Sequence, residues 1–233
     1  MTQSLTIQVW HDLICPICPI GRVKLNQGIE LFAQKARVEV LYRSYRLKPG
    51  VAPYTVYSYL KQQYSKDADV GAILAPVERM GAAAGLTYRM ANTWAGDTLD
   101  AHRLVHLAHS EGLQARAVER IQRAHFTEEM NIFDKEALVW LGGQIGLDRN
   151  AVAWMLSGDQ YTEEVEEDEN AARQLAVSRI PHFLVDGQIE TSGGQPPERF
   201  LSILEGAWDA AVGVCALSAN RMYMSRSMSY CSV

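Results

Sequence analysis

The chain has 233 residues and a net charge of −5, with 22 Lys and Arg against 27 Asp and Glu, and it is 48% hydrophobic and 21% charged. That length fits one large domain or two small ones and buries enough surface to need no covalent staples. The mild acidity, with no basic block or interleaved aromatic stripe, argues against a nucleic acid partner. No run of about 18 apolar residues offers a membrane span.

The opening MTQSLTIQVW has no basic n-region and no long apolar run, so it reads as a strand rather than a secretory signal, and a cytoplasmic location is expected. Within it Leu5, Ile7 and Val9 alternate with β-branched neighbours. The stretch HDLICPICPIG follows at the strand's end. GRVKLNQGIELFAQKA then places Val23, Ile29, Leu31 and Phe32 near helical spacing, weakened by Gly28, and RVEVLYRSYRL is a second strand with Val38, Val40 and Tyr42 on one face.

From about Tyr54 to about Gln160 the pattern is helical throughout. TLDAHRLVHLAHSEG ends at Gly112, DKEALVWLGGQIGL begins at Asp134, and DRNAVAWMLSG runs from Asp148 to Gly158. YTEEVEEDENAARQLAV is an acidic helix with Val165, Ala172 and Leu175 as its apolar line and a solvated EEVEEDE face. Strands return in HFLVDGQIETSGG, two short runs joined by Asp186-Gly187, a dipeptide suited to a tight hairpin. PPERFLSILEGAWDAA is a last helix opened by proline. The chain therefore reads as one α/β domain over residues 1–56 and 163–212, an all-helical insertion over 57–162, and a Ser- and Met-rich tail over 213–233.

The cysteines are Cys15, Cys18, Cys215 and Cys231. The Cys15/Cys18 pair has three readings: half a zinc site, two inert core cysteines, or a redox dithiol. Zinc wants a second close pair, and Cys215 and Cys231 stand far apart with no neighbouring His, so no metal is expected. A strand that turns into a helix at C-x-x-C puts Cys15 at the helix N-terminus, where unpaired N–H groups and the dipole favour a thiolate. Cys15 is then the exposed attacking sulfur and Cys18 the partly covered resolving one. Pro16 suits the first helical position, whereas Pro19 argues for a late start or a kink.

His11 and Asp12 are modulators by position: a cationic His11 lowers the Cys15 pKa, while an anionic Asp12 raises it or relays protons. His102, His106 and His109 recur along one helix face without the carboxylate of a metalloprotease motif, so satisfied, partly buried imidazoles are expected there. In SRIPHFLV, a proline just before a strand fits a cis Ile180-Pro181 bond, leaving the Ile180 carbonyl free to pair with an extended substrate. His182 follows it and is a further candidate to face the thiols. Cys215 and Cys231 read as free tail thiols or as a second pair shuttling electrons to the first.

WHDLICPICPIG, NTWAGDTLDAHRL, HFTEEMNIFDKEAL, IPHFLVDG and SGGQPPERFL, in this order, resemble the thioredoxin-fold DsbA family, and in particular its FrnE-like subgroup, over roughly residues 5–212. The resemblance implies a thioredoxin fold with a helical insertion, a redox-active Cys15–Cys18 pair, Pro181 in cis, and His102 lining the cleft. Pro19, where the family usually carries a bulky residue, and the tail depart from it. The expected activity is thiol-disulfide exchange or isomerisation on protein or small-molecule thiols and disulfides, with no cofactor beyond the redox disulfide. Glutathione is a candidate co-substrate, and monomer and homodimer are both open. The alternative is a glutathione-dependent small-molecule enzyme of the 2-hydroxychromene-2-carboxylate isomerase or kappa-class transferase kind, in which a Ser commonly takes the first catalytic position. A redox-regulated binding protein is a third, non-enzymatic class.

Overall fold

The computed structural model describes residues 3–211. Strand β1 (Leu5–His11) lies at the centre of a four-stranded sheet ordered β2-β1-β5-β6. It runs parallel to β2 (Val38–Ser44), from Leu5 opposite Val38 to His11 opposite Ser44, and antiparallel to β5 (His182–Val185). Leu5, Ile7 and Val9 are sealed from solvent on one face. Strand β6 (Ile189–Ser192) closes the edge after a turn in which Asp186 and Gly187 take φ of 48° and 68°, the sign that a tight hairpin's twist requires.

Parallel neighbours need a crossover, and helix α1 (Ile17–Leu31) supplies it. The helix is not delayed past Pro19 as a late start would require. Pro19 is the third helical residue, among the first N–H positions that have no intrahelical acceptor anyway, so its missing donor costs nothing. The apolar line expected for this helix is also revised: Leu31 is exposed and Phe32 lies beyond the helix end. The buried face is Cys18, Ile20, Arg22, Leu25 and Gly28. Gly28, which weakens the helical pattern in the sequence, is needed there. A Cβ on it would stand 2.6 Å from Phe200 Cβ and 2.9 Å from the Pro197 carbonyl.

Between β2 and β5 come α2 (Val56–Gln63), α3 (Val70–Ala83), α4 (Leu99–Ser110), α5 (Gln114–Phe126), α6 (Lys135–Ile145), α7 (Arg149–Ser157) and α8 (Thr162–Gln174). Thr55, Asp69, Asp134 and Asp148 cap four of them by accepting a backbone N–H. The segment is not purely helical: β3 (Tyr54–Thr55) and β4 (Trp94–Ala95) pair as a short antiparallel ribbon, too brief to leave a period-2 pattern. Helix α9 covers 197–211 of the described residues.

The acidic face of α8 is not simply solvated. Asp168 is buried, pairs with Arg43 at 3.0 Å and accepts the Ser44 N–H at 2.8 Å. Glu169 pairs with Arg46 at 2.8 Å. The main core runs continuously from Leu5, Ile7, Val9 and Phe183 into Leu104, Val105, Val118 and Ile121 of the helical block. A smaller cluster of Ile20, Val70, Leu74, Tyr88, Met90 and Phe126 ties the start of α1 to α3.

Candidate active site

The C-terminal end of β1 delivers Asp12 and the CPIC turn. The Cys15 N–H donates to the Asp12 carbonyl at 3.3 Å and the Cys18 N–H to the Cys15 carbonyl at 3.1 Å, which winds the chain into α1. Pro16 is the cap residue, and the backbone N–H groups of Ile17 and Cys18 both favour the Cys15 thiolate, the second while also bonded to the Cys15 carbonyl. The pair stands in the dithiol form. Its two thiols are driven apart in acidity. The Cys18 thiol, donating to Cys15, pulls the Cys15 pKa down; burial opposes this, the two backbone N–H groups add to it, and Asp12 opposes it weakly. Cys18 is pushed well up, first by burial and then by holding the proton it shares with Cys15. A low-pKa attacking sulfur beside a high-pKa resolving one follows first from the thiol–thiol hydrogen bond and the deeper burial of Cys18, with the helix-terminal N–H groups adding to it at Cys15. The expected exposure needs correction: Cys15 is only 6% exposed and Cys18 2%.

Asp12 is fully buried and joins three segments. Its carboxylate accepts the Leu47 N–H at 2.7 Å and the Thr98 hydroxyl at 2.8 Å, and lies 3.6 Å from His102 Nε2. It thereby holds the loop after β2 and the start of α4 against the CPIC turn, while its charge disfavours thiolate at both cysteines. His11 is not a cation that activates Cys15. Burial, with help from His102 and Arg22, drives its pKa well below the ordinary value. Its ring packs edge-on to Tyr42 and His102, 5.3 and 5.4 Å between centroids.

The His102 imidazole is buried, but neither of its ring nitrogens has a hydrogen-bond partner among the described residues, so it is not the satisfied core histidine the pattern suggests. His106 is different: its Nε2 lies 3.1 Å from Ser44 Oγ and 3.2 Å from Asp168. His109 is exposed. Arg103, next to His102, points away and binds the carbonyls of Gly158 and Gln160 beyond α7.

The loop before β5 forms the other wall. Ile180-Pro181 is cis, and the Ile180 carbonyl lies 4.0 Å from Cys15 Sγ. Gly21 of α1 lets this loop approach, since a Cβ there would fall 2.6 Å from Pro181 Cγ. His182 finds its partners elsewhere: its ring meets Trp10 at 5.9 Å, its Nε2 lies 3.7 Å from Glu190, and burial lowers its pKa. Cys215 and Cys231 lie outside the described residues. Among the described residues no three His, Cys, Asp or Glu side chains converge as metal ligands.

Three residues at the site escape the sequence reading. Thr98 sits inside a quoted motif but only its bond to Asp12 reveals it. His125 of α5 is buried beside Phe126, with its pKa pushed down to about 4 by burial. Tyr88 donates its hydroxyl proton to the Pro16 carbonyl at 2.7 Å. No spacing links Tyr88 or His125 to the dithiol.

The family model of the DSBA-like thioredoxin domain matches residues 6–205. Among solved structures the chain is similar to a probable DsbA oxidoreductase from Streptomyces coelicolor, with 32% identity, coverage of 88% of this chain and 90% of that one, and a TM-score of 0.81. It shares its fold with the cytosolic disulfide reductase DsbM from Pseudomonas aeruginosa (18% identity, 88% and 99% coverage, TM-score 0.63). The same holds for a 2-hydroxychromene-2-carboxylate isomerase (16% identity, 92% and 98% coverage, TM-score 0.56). No curated protein matches the chain. No helix among the described residues is long and apolar enough to cross a membrane.

Proposed function

The chain belongs to the DSBA-like thioredoxin domain family, and from that premise we propose that it is a thiol-disulfide oxidoreductase working through Cys15 and Cys18. The observation that carries the reading is the division of labour in the pair. The Cys15 sulfur is favoured as thiolate and faces the Ile180 carbonyl, while Cys18 is buried and holds its proton.

The Cys15 thiolate attacks one sulfur of a substrate disulfide. That S–S bond breaks, a Cys15–substrate bond forms, and the other substrate sulfur leaves as thiolate and takes a proton. Cys18 then loses its proton and attacks Cys15 Sγ, releasing the second substrate sulfur. The substrate gains two electrons and the chain is left with a Cys15–Cys18 disulfide. The reverse sequence oxidises a dithiol, and isomerisation uses the first step and release alone. Asp12, whose charge acts on both thiols, is the candidate acceptor for the Cys18 proton. The Ile180 carbonyl, released by the Cys15 thiol when it ionises, and the Pro181 edge hold an extended stretch of substrate. Protein and small-molecule disulfides are both within the reach of this chemistry, with glutathione as a candidate co-substrate, and the motif order favours the FrnE-like subgroup.

The test is a pair of variants in a disulfide reductase assay with a thiol donor. Cys15→Ser abolishes turnover, and Cys18→Ser accumulates mixed disulfides visible on non-reducing gels. Full glutathione-dependent conversion of a small molecule by Cys18→Ser would overturn the dithiol mechanism in favour of a one-cysteine enzyme.

A further inference from the structure

Tyr88 belongs to the irregular segment between α3 and β4, far from CPIC in sequence, yet its hydroxyl meets the Pro16 carbonyl at 2.7 Å. The N–H of that same peptide group is the Ile17 N–H, one of the donors facing the Cys15 sulfur. A peptide group is a single conjugated unit. A donor on its oxygen draws electron density from nitrogen and strengthens the N–H as a donor in turn, the cooperativity expected of linked hydrogen bonds. We propose that Tyr88 is a positioning residue for the Cys15 thiolate, acting through the Pro16–Ile17 peptide group. This rests on the reading of Cys15 as the attacking thiol.

The tyrosine is held rigidly for such a task. Its neighbours are fixed on both sides: the Thr87 carbonyl accepts from the Thr127 hydroxyl at 2.6 Å, the Arg89 N–H donates to the Phe126 carbonyl at 2.7 Å, and the Met90 N–H to Glu78 at 2.8 Å. The ring is 8% exposed and lies against Gly81, where a Cβ would stand 2.6 Å from Tyr88 Cδ2, and beside Phe126 at 5.0 Å between centroids. Burial, then the nearby cysteine sulfurs, push the phenol pKa up, so the hydroxyl remains a donor while Cys15 titrates. The helical block thus reaches the CPIC turn through this hydrogen bond as well as through that of Thr98 to Asp12.

The experiment is alkylation of Cys15 in the reduced full-length chain by iodoacetamide across pH, with the modified peptide identified by mass. Tyr88→Phe keeps the ring and removes the proton. Its Cys15 midpoint rises, and alkylation below the midpoint slows about two- to fivefold, the worth of part of one hydrogen bond. Placing 3-fluorotyrosine at position 88 alone keeps the shape and strengthens the donor, so the midpoint moves down and alkylation speeds up. A merely structural tyrosine would not give opposite signs. If both variants titrate as the wild type does, or only the fluorinated one can be prepared and it leaves the midpoint unmoved, the proposal is overturned. If wild-type Cys15 itself titrates like a free thiol, the assignment of Cys15 fails first and the role of Tyr88 with it.

Discussion

Replacing Asp12 by Asn separates what this carboxylate does for the fold from what it does to the thiols. The side chain is fully buried and accepts two short hydrogen bonds, from the Leu47 N–H at 2.7 Å and the Thr98 hydroxyl at 2.8 Å. An amide keeps one oxygen for the Leu47 N–H, and the Thr98 hydroxyl can turn to accept from the new NH2. The pairing therefore survives, but both bonds lose their charge assistance. Charged hydrogen bonds are worth about 1.5–3 kcal/mol against about 1 for neutral ones, so the variant should lose about 1–3 kcal/mol. In a chain of this size that is a Tm lower by about 3–10 °C. The same substitution removes the negative charge that disfavours thiolate at Cys15 and Cys18, so both thiols become more acidic. The signature is a less stable protein with a more reactive Cys15. Guanidinium denaturation and the pH profile of Cys15 alkylation read the two halves. An unchanged denaturation midpoint, or an alkylation midpoint that rises, would refute this account of Asp12.

Acid should destabilise the protein through its buried imidazoles. His125 has its pKa pushed down to about 4 by burial, and His11 well down for the same reason. In the unfolded chain these rings titrate near 6.5, so the folded state binds fewer protons between the two values. The neutral rings' contribution is complete above about pH 6.5 and is lost as pH falls towards 4, roughly 3 kcal/mol for His125 alone. Denaturation at pH 7 and pH 5 should show a shallower fall in His125→Gln than in wild type; parallel falls would count against a buried neutral His125. Gly21→Ala and Gly28→Ala both force a Cβ to 2.6 Å from a neighbour, Pro181 Cγ in one case and Phe200 Cβ in the other. Each should cost about 1–3 kcal/mol by overpacking, but only Gly21→Ala, which displaces the cis-proline wall, should also slow disulfide exchange. Equal activities would remove Gly21 from the site. Arg46 bridges Glu169 at 2.8 Å and Asp97 at 3.2 Å with little exposure on any partner. Arg46→Met should cost about 2–4 kcal/mol because two half-buried carboxylates lose their cation, and the additional Glu169→Gln change should recover part of that. Strict additivity of the two changes in thermal melts would argue that the bridge is inert.

The elements that local rules specify were legible in the chain. Period-2 alternation marked β1, aspartates marked the starts of α6 and α7, and Asp186-Gly187 marked the hairpin, because each of these signals is carried by neighbouring residues. The Cys15/Cys18 spacing likewise announced its chemistry, since a strand leading into a helix sets the two thiols one turn apart with backbone N–H groups beside Cys15. Other features resisted because their cause lies across the fold. Gly28 looked like a defect until Phe200 packed on it, and Asp168 and Glu169 looked like solvated charges until Arg43 and Arg46 met them. Pro19 argued for a late start or a kink, but its position within the first turn left no donor to miss. His11, His102 and His182 could all have faced the thiols by sequence. Tertiary contacts gave two of them other partners, Tyr42 and His102 for His11 and Trp10 and Glu190 for His182. The sequence by itself determined the strand-helix junction and the two sulfurs it presents. Only tertiary structure decided what surrounds them — the approach of the cis-proline loop to Cys15, the Thr98 hydroxyl on Asp12 and the phenol of Tyr88 — because those groups arrive from segments up to 165 residues away, and no local periodicity records which distant side chains will share a wall.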